Sequence, residues 1–163
     1  MAPVLGIDEA ARWADAQRQK GRRVVLANGV FDLLHVGHLR YLEAARALGD
    51  VLVVALNSDA SVRRLKGQGR PIMSAAERAE LVGALRHVDA VVVFEEDSAD
   101  ALIERLRPDV HAKGTDYTEQ SVPERATVAA VGATVAIAGD PKSHSTKDLI
   151  ATILTRFGRT PSR

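Results

Sequence analysis

The chain has no cysteine, which excludes a disulfide framework and any Cys-based zinc site. No apolar run approaches the ~20 residues of a membrane-spanning helix. The N-terminal stretch MAPVLGIDEAARWADAQRQKGRR has no unbroken apolar segment, so no signal peptide is expected there. Charge of one sign is not in surplus either: 22 Lys plus Arg face 21 Asp plus Glu, a formal net charge of +1. That balance argues against a general nucleic-acid or membrane-surface binder and leaves local basic sites as the places where anions are attracted. Motifs are missing as well. There is no G-x-x-x-x-G-K-[ST], which excludes a P-loop enzyme, and no G-x-G-x-x-G or G-x-S-x-G. These absences leave a soluble cytoplasmic protein with neither nucleic acid nor membrane as a partner.

What is present is an alternation of strand and helix patterns. The length of 163 residues, 46% of them apolar, suits one domain over 1–163 with a sizeable core. Continuous apolar runs predict strands at 23–28, 51–56, 90–94, 109–112 and 134–138. Helical spacing predicts helices at 8–20 with Asp8 as N-cap, 37–48 with Gly49 as the residue after the C-cap, 57–65, 74–88, 98–106, 123–131 and 145–157. Ser74 and Glu77 form a capping-box pattern. The tail from about 158 to 163 is expected to fray. Buried strands joined by helices imply an α/β fold, a doubly wound parallel five-stranded sheet. Ligands of such sheets bind at the carboxyl ends of the strands, near the switch in strand order. The loops there carry His35 and His38, Lys66, Lys113 and Asp116, and Ser145 and Thr146.

Within NGVFDLLHVGHLRYLEAA, residues 28–45, His35 and His38 flank Gly37 where a strand gives way to a helix. A zinc pair is one reading, but zinc needs three or four ligands, and His87, His111 and His144 lie on separate elements. Plain helix capping is another. The third is phosphate binding: Gly37 admits close approach, the helix start offers free N–H groups, and two imidazoles add donors. Such donors could stabilise charge building on a pentavalent phosphorus. Ser145 and Thr146 start the last helix and repeat this logic, with an ordinary N-cap as the simpler alternative. Lys66 sits in the Gly-rich stretch KGQGRP, where it is either solvated or a charge clamp on phosphates. Arg63 and Arg64 fit a charged helix face, and Arg78 fits either surface or site.

GVFDLLHVGH resembles the first signature of the H-x-G-H nucleotidyltransferase superfamily, which includes cytidylyltransferases and pantetheine-phosphate adenylyltransferase, and HSTKDLI resembles its second. The segments LANGVFDLLHVGHLRYLEAARALGD, ALNSDASVRRLKGQGRPI, VFEED, RPDVHAKGTDY and HSTKDLI are similar to the adenylyltransferase family of bacterial ADP-heptose synthesis. The resemblance covers about residues 8–155. In many bacteria that activity is the C-terminal half of a bifunctional enzyme whose other half is a sugar kinase. The stand-alone form is expected here, with a separate heptose kinase as pathway neighbour and a homodimer or higher homo-oligomer as the assembly.

The resemblance implies a Rossmann-like nucleotidyltransferase fold and a reaction in which D-glycero-D-manno-heptose 1-phosphate attacks the α-phosphorus of ATP. ADP-heptose and pyrophosphate are the products. Catalysis would be positioning and charge stabilisation, with Mg²⁺ bridging phosphate oxygens and needing few protein ligands. By the same resemblance His35, His38 and Lys66 are catalytic. Gly29, Val30, Phe31, Gly37, Lys113, Gly114, Ser145 and Thr146 bind nucleotide and phosphate. Asp32 and Asp116 face the sugar phosphate, and no residue is expected as a metal ligand. Three places depart from the family pattern: Lys147 stands where a threonine is usual, Lys142 and His144 where an arginine often precedes the motif, and ANGVFD replaces the usual TNGCFD. The alternatives are a cytidylyltransferase acting on glycerol 3-phosphate or a similar alcohol phosphate, and a nucleotide-sensing module without turnover.

Overall fold

The computed structural model describes residues 1–141 and 143–158; the replacement at Lys142 and most of the tail lie outside the described residues. In chain order the elements are β1 (Val4–Leu5), α1 (Ile7–Gln19), β2 (Val24–Gly29), α2 (Val36–Arg46), β3 (Val51–Asn57), α3 (Asp59–Lys66), α4 (Ala75–Gly83), β4 (Ala90–Phe94), α5 (Asp100–Leu106), β5 (Val110–Gly114), α6 (Arg125–Ala130), β6 (Thr134–Ala138) and α7 (Thr146–Phe157). The strands form one parallel sheet of six in the order β1-β4-β3-β2-β5-β6.

Strand alternation divides the core into two layers. On β2 and β3, Val24, Leu26, Val51, Val53 and Ala55 face one layer together with Ala10 and Ala14 of α1, Ile103 of α5 and Val128 of α6. Val25, Ala27, Leu52, Val54 and Leu56 face the other, with Leu42 and Ala45 of α2 and Ala79 and Val82 of α4. Both faces are covered, so apolar residues dominate these strands at nearly every position. Helix α7 buries no residue; Ile153, Leu154 and Phe157 on it are exposed. Among the described residues no helix is long and apolar enough to cross a membrane.

Several boundaries differ from the sequence expectation. The sheet has six strands rather than five, because Val4–Leu5 pairs with Val91 and Val92. Two residues are too few to register as a periodic pattern. Gly6, not Asp8, caps α1, and its N–H donates to Glu9 at 2.9 Å; Asp8 instead pairs with Arg105 of α5. Helix α4 keeps its Ser74–Glu77 capping box but ends at Gly83, where the N–H of Ala2 donates to the Gly83 carbonyl at 2.7 Å. Gly49 is not in the left-handed region. A Cβ there would lie 2.7 Å from Val25 Cγ2 and 2.8 Å from the Arg23 carbonyl, so glycine answers a close approach rather than a helix stop.

The topology fixes the site. After β2 the chain builds β3 and β4 on one side, then returns to lay β5 and β6 on the other. The connections leaving β2 and β5 therefore diverge, opening a crevice beyond their carboxyl ends.

Candidate active site

The crevice is a cleft of about 960 Å³, at the upper end of the range for small-molecule sites and roomy enough for two substrates. The residues given a catalytic or binding role from the sequence all line it: Gly29, Val30, Phe31, Asp32, His35, Gly37, His38, Lys66, Lys113, Gly114, Asp116, Ser145 and Thr146. They come from the ends of β2, α3 and β5 and the starts of α2 and α7.

Beyond β2 the backbone turns sharply. Phe31 and Leu33 both have φ of 53°, a region that bulky residues rarely occupy. The turn buries the Phe31 ring, which stacks on Tyr41 at 6.3 Å and tilts against His38 at 5.3 Å. Gly29 leaves room for that ring, since a Cβ there would sit 3.0 Å from it. Tyr41 is anchored in turn by its hydroxyl, which donates to the Ala112 carbonyl of β5 at 2.7 Å.

His35 is the N-cap of α2 and its ring stacks on His38 at 3.9 Å. The His35 N–H donates to His38 Nδ1 at 3.4 Å, so the proton of the His38 ring is on Nε2. Burial, then the neighbouring His35, push the His38 pKa down to about 4. The ring is therefore a neutral donor at neutral pH. Gly37 packs tightly: a Cβ would stand 3.0 Å from the His35 ring and 3.4 Å from His144. That contact brings the start of α7 beside the start of α2, so two helix N-termini share one cleft, a ready anion site.

At α7, Ser145 Oγ accepts from the Asp148 N–H at 3.1 Å and donates to its carboxylate at 2.6 Å. Thr146 Oγ1 donates to the Asp32 carbonyl at 2.6 Å. The Asp32 carboxylate accepts from Arg70 Nε at 2.7 Å and from the N–H groups of Ile72 and Met73 at 2.8 and 3.0 Å. Burial alone would raise its pKa; the two backbone bonds and Arg70 outweigh that and hold it below the usual carboxylate value. Asp32 thus ties the loop of residues 67–74 to the start of α7. Lys66 is the last residue of α3 rather than part of the loop, exposed at the cleft edge and followed by Gly67 and Gly69, both at φ 86°.

Arg78 is fully buried and is neither surface nor cleft. Its guanidinium donates to the carbonyls of Met73, Val30 and Asn57 and to Asp59, binding the ends of β2 and β3 to the loop. Arg64 pairs with Asp97 at the exposed rim.

Beneath the cleft lies a buried network that pattern reading missed. Lys113 Nζ is 3.3 Å from Glu124 Oε2 and 3.3 Å from Asn28 Oδ1, and His111 Nε2 is 2.9 Å from the same Asn28 oxygen. The signal in the sequence was a polar residue at every second position of β5, His111 and Lys113, inside an apolar strand. Arg70 and Glu124 carried no signal beyond their charge. Among the described residues no group of three or more His, Asp or Glu stands where it could hold a metal ion.

A doubly wound sheet with two helix N-termini and a stacked histidine pair at its switch point defines a nucleotide-handling α/β protein. The profile of the cytidylyltransferase-like family matches residues 26–153, and the chain belongs to that family of nucleotidyltransferases. It is 48% identical over 157 residues to the bifunctional protein HldE of Geobacter sulfurreducens, which covers 96% of this chain and 32% of that protein. To the bifunctional protein HldE of Syntrophotalea carbinolica it is 49% identical over 143 residues, 88% and 29% of the two chains. The chain thus spans about a third of the length of these relatives. Among solved structures, a lipopolysaccharide core biosynthesis protein from Thermoplasma volcanium matches with a TM-score of 0.65 at 29% identity, over 75% of this chain and 100% of that one. Pantoate-beta-alanine ligase from Francisella tularensis, solved with βγ ATP and β-alanine, shares the fold: TM-score 0.66, 13% identity, 92% and 73% coverage.

Proposed function

We propose that the protein transfers an adenylyl group from ATP to D-glycero-D-manno-heptose 1-phosphate, releasing pyrophosphate and forming ADP-heptose. The observation that carries the reaction class is the meeting of the α2 and α7 N-termini with His35 and His38 in one cleft. The acceptor rests on the similarity to HldE proteins along nearly the whole chain and on the lipopolysaccharide core biosynthesis protein among the structural relatives.

In this reading a phosphate oxygen of the sugar phosphate attacks the α-phosphorus, and the bond to the bridging oxygen of the β-phosphate breaks. No covalent enzyme intermediate is needed. His38, neutral with its proton on Nε2, donates to an α-phosphate oxygen as negative charge grows there. His35 stacks on it and shares the phosphate. The β- and γ-phosphates lie toward the α7 start, met by its N–H groups and by Ser145 and Thr146. Gly29, Val30 and Phe31 line the path with backbone, and Gly37 keeps the helix start open. Lys66 closes on the phosphates from the edge, while Lys113, Gly114 and Asp116 flank the nucleotide or acceptor. Asp32 acts on the sugar-phosphate side through the loop it holds.

A magnesium ion arriving with the nucleotide would supply positive charge to offset that of the phosphates. Four cleft carboxylates are paired with cations: Asp32 with Arg70, Asp97 with Arg64, Asp140 with Arg40 and Glu124 with Lys113. Those pairings support a reading in which the metal enters as the nucleotide complex rather than on these four carboxylates.

The test is an acceptor and nucleotide panel with Mg²⁺: ATP or CTP, each with heptose 1-phosphate or glycerol 3-phosphate, followed by mass spectrometry of the product. ADP-heptose from one pairing alone is the expected result. A CDP product formed from glycerol 3-phosphate, or no product from ATP and the heptose phosphate, would refute the reading.

A further inference from the structure

We propose that Asn28 is a further substrate-binding residue of the nucleotidyl-transfer site, its carboxamide held through Oδ1 so that its NH₂ group donates to a phosphate oxygen of the nucleotide. The inference rests on the nucleotidyl-transfer reading above. Asn28 is the next-to-last residue of β2, at the switch point, and lines the cleft.

Its orientation follows from its partners. An ammonium only donates, so the Asn28 atom 3.3 Å from Lys113 Nζ must be the oxygen. The same oxygen is 2.9 Å from His111 Nε2, which must then carry the ring proton and donate. His111 is fully buried, and its pKa is pushed down to about 4 by burial and then by Lys113, so the neutral ring suits that single donation. Lys113, almost fully buried, pairs with Glu124 at 3.3 Å. Two donors on one oxygen lock the amide. Both side-chain hydrogen bonds of Asn28 run through Oδ1, leaving Nδ2 for the cleft, and the residue is half-buried at the cleft wall.

A buried lysine, glutamate and histidine are costly to assemble for packing alone. Fixing one amide toward the cleft gives them a use. Such a donor suits phosphate because it is preorganised and does not titrate. Lys113 then acts on the nucleotide through Asn28, as a positioning residue, with its own charge answered by Glu124.

The decisive variant is Asn28→Asp. It is isosteric and keeps an oxygen for His111 and Lys113, adding an ion pair with the latter. Only the cleft-facing NH₂ is exchanged for an anionic oxygen. A purely structural Asn28 predicts unchanged or raised thermal stability in Asn28→Asp and wild-type ATP affinity in the neutral Asn28→Ser, which lacks the NH₂ but adds no charge to the cleft. A donor predicts the same stability with ATP affinity lowered on the order of tenfold or more. The experiment is calorimetric titration of the full chain with Mg–ATP and no acceptor, alongside thermal unfolding. ATP affinity equal to wild type in a folded Asn28→Asp overturns the proposal. Asn28→Ser removes the NH₂ without adding charge, so ATP affinity equal to wild type in a folded Asn28→Ser overturns the proposal as well. Because no acceptor is present, a wrong acceptor sugar would fail the product assay and leave this readout untouched.

Discussion

His38 and His111 are both held neutral by burial, with pKa near 4 against an ordinary value of about 6.5. Between those values the unfolded chain binds more protons than the folded one, so stability contributed by these rings is full above about 6.5 and is lost as pH falls toward 4. The thermal midpoint should therefore drop between pH 7 and pH 4, and His111→Leu should flatten that slope. An unchanged slope in the variant would mean the buried imidazole is not the group responsible. Arg78 sets a second expectation at this scale. Removing it strands the carbonyls of Val30 and Asn57 and the Asp59 carboxylate. Arg78→Met should cost about 3 kcal/mol or more in denaturant unfolding, and a loss below about 0.5 kcal/mol would contradict its bracing role.

Helix ends carry most of the proposed site, and they were the least legible elements. Strand positions were readable because both sheet faces are buried and the apolar runs are continuous. The β6 expectation at 134–138 matches the observed strand. The capping box at Ser74 was readable because its chemistry is local. Gly49 was misread because a glycine after a helix signals a stop, whereas here it answers the approach of Arg23 and Val25 at the start of β2. That contact gives a clean test: Gly49→Ala should destabilise by about 1–3 kcal/mol, since no flexible group can move aside from the Arg23 carbonyl. The start of α7 allows a finer separation. Ser145 is an N-cap by geometry and a phosphate ligand by proposal. Ser145→Ala removes both, at about 1 kcal/mol for the cap; Ser145→Asp restores the cap but adds negative charge. If phosphates bind there, the aspartate variant should be stable and bind Mg–ATP worse than the alanine variant. Tighter or equal binding would confine Ser145 to capping.

At the scale of the whole molecule, the site is a consequence of topology. Residues as distant in sequence as Asp32 and Thr146, or Asn28 and Lys113, meet because β2 and β5 are neighbours whose connections part. The strand ends singled out in the sequence meet in one cleft, and the thirteen residues given a catalytic or binding role all line it. It did not show the buried Asn28–His111–Lys113–Glu124 network, since pairing across β2 and β5 is a long-range register with no local pattern. Nor did it show that Asp32 faces its own loop, since that depends on how residues 70–73 fold back. The central claim is that the stacked histidines at the α2 start stabilise the transferring phosphorus. The measurement is the single-turnover rate of Mg–ATP with heptose 1-phosphate in His38→Ala, beside its thermal midpoint. The account predicts a rate lowered on the order of a hundredfold or more in a protein that unfolds near the wild-type temperature. A near-wild-type rate, or a loss of rate that merely follows a loss of folding, would contradict it.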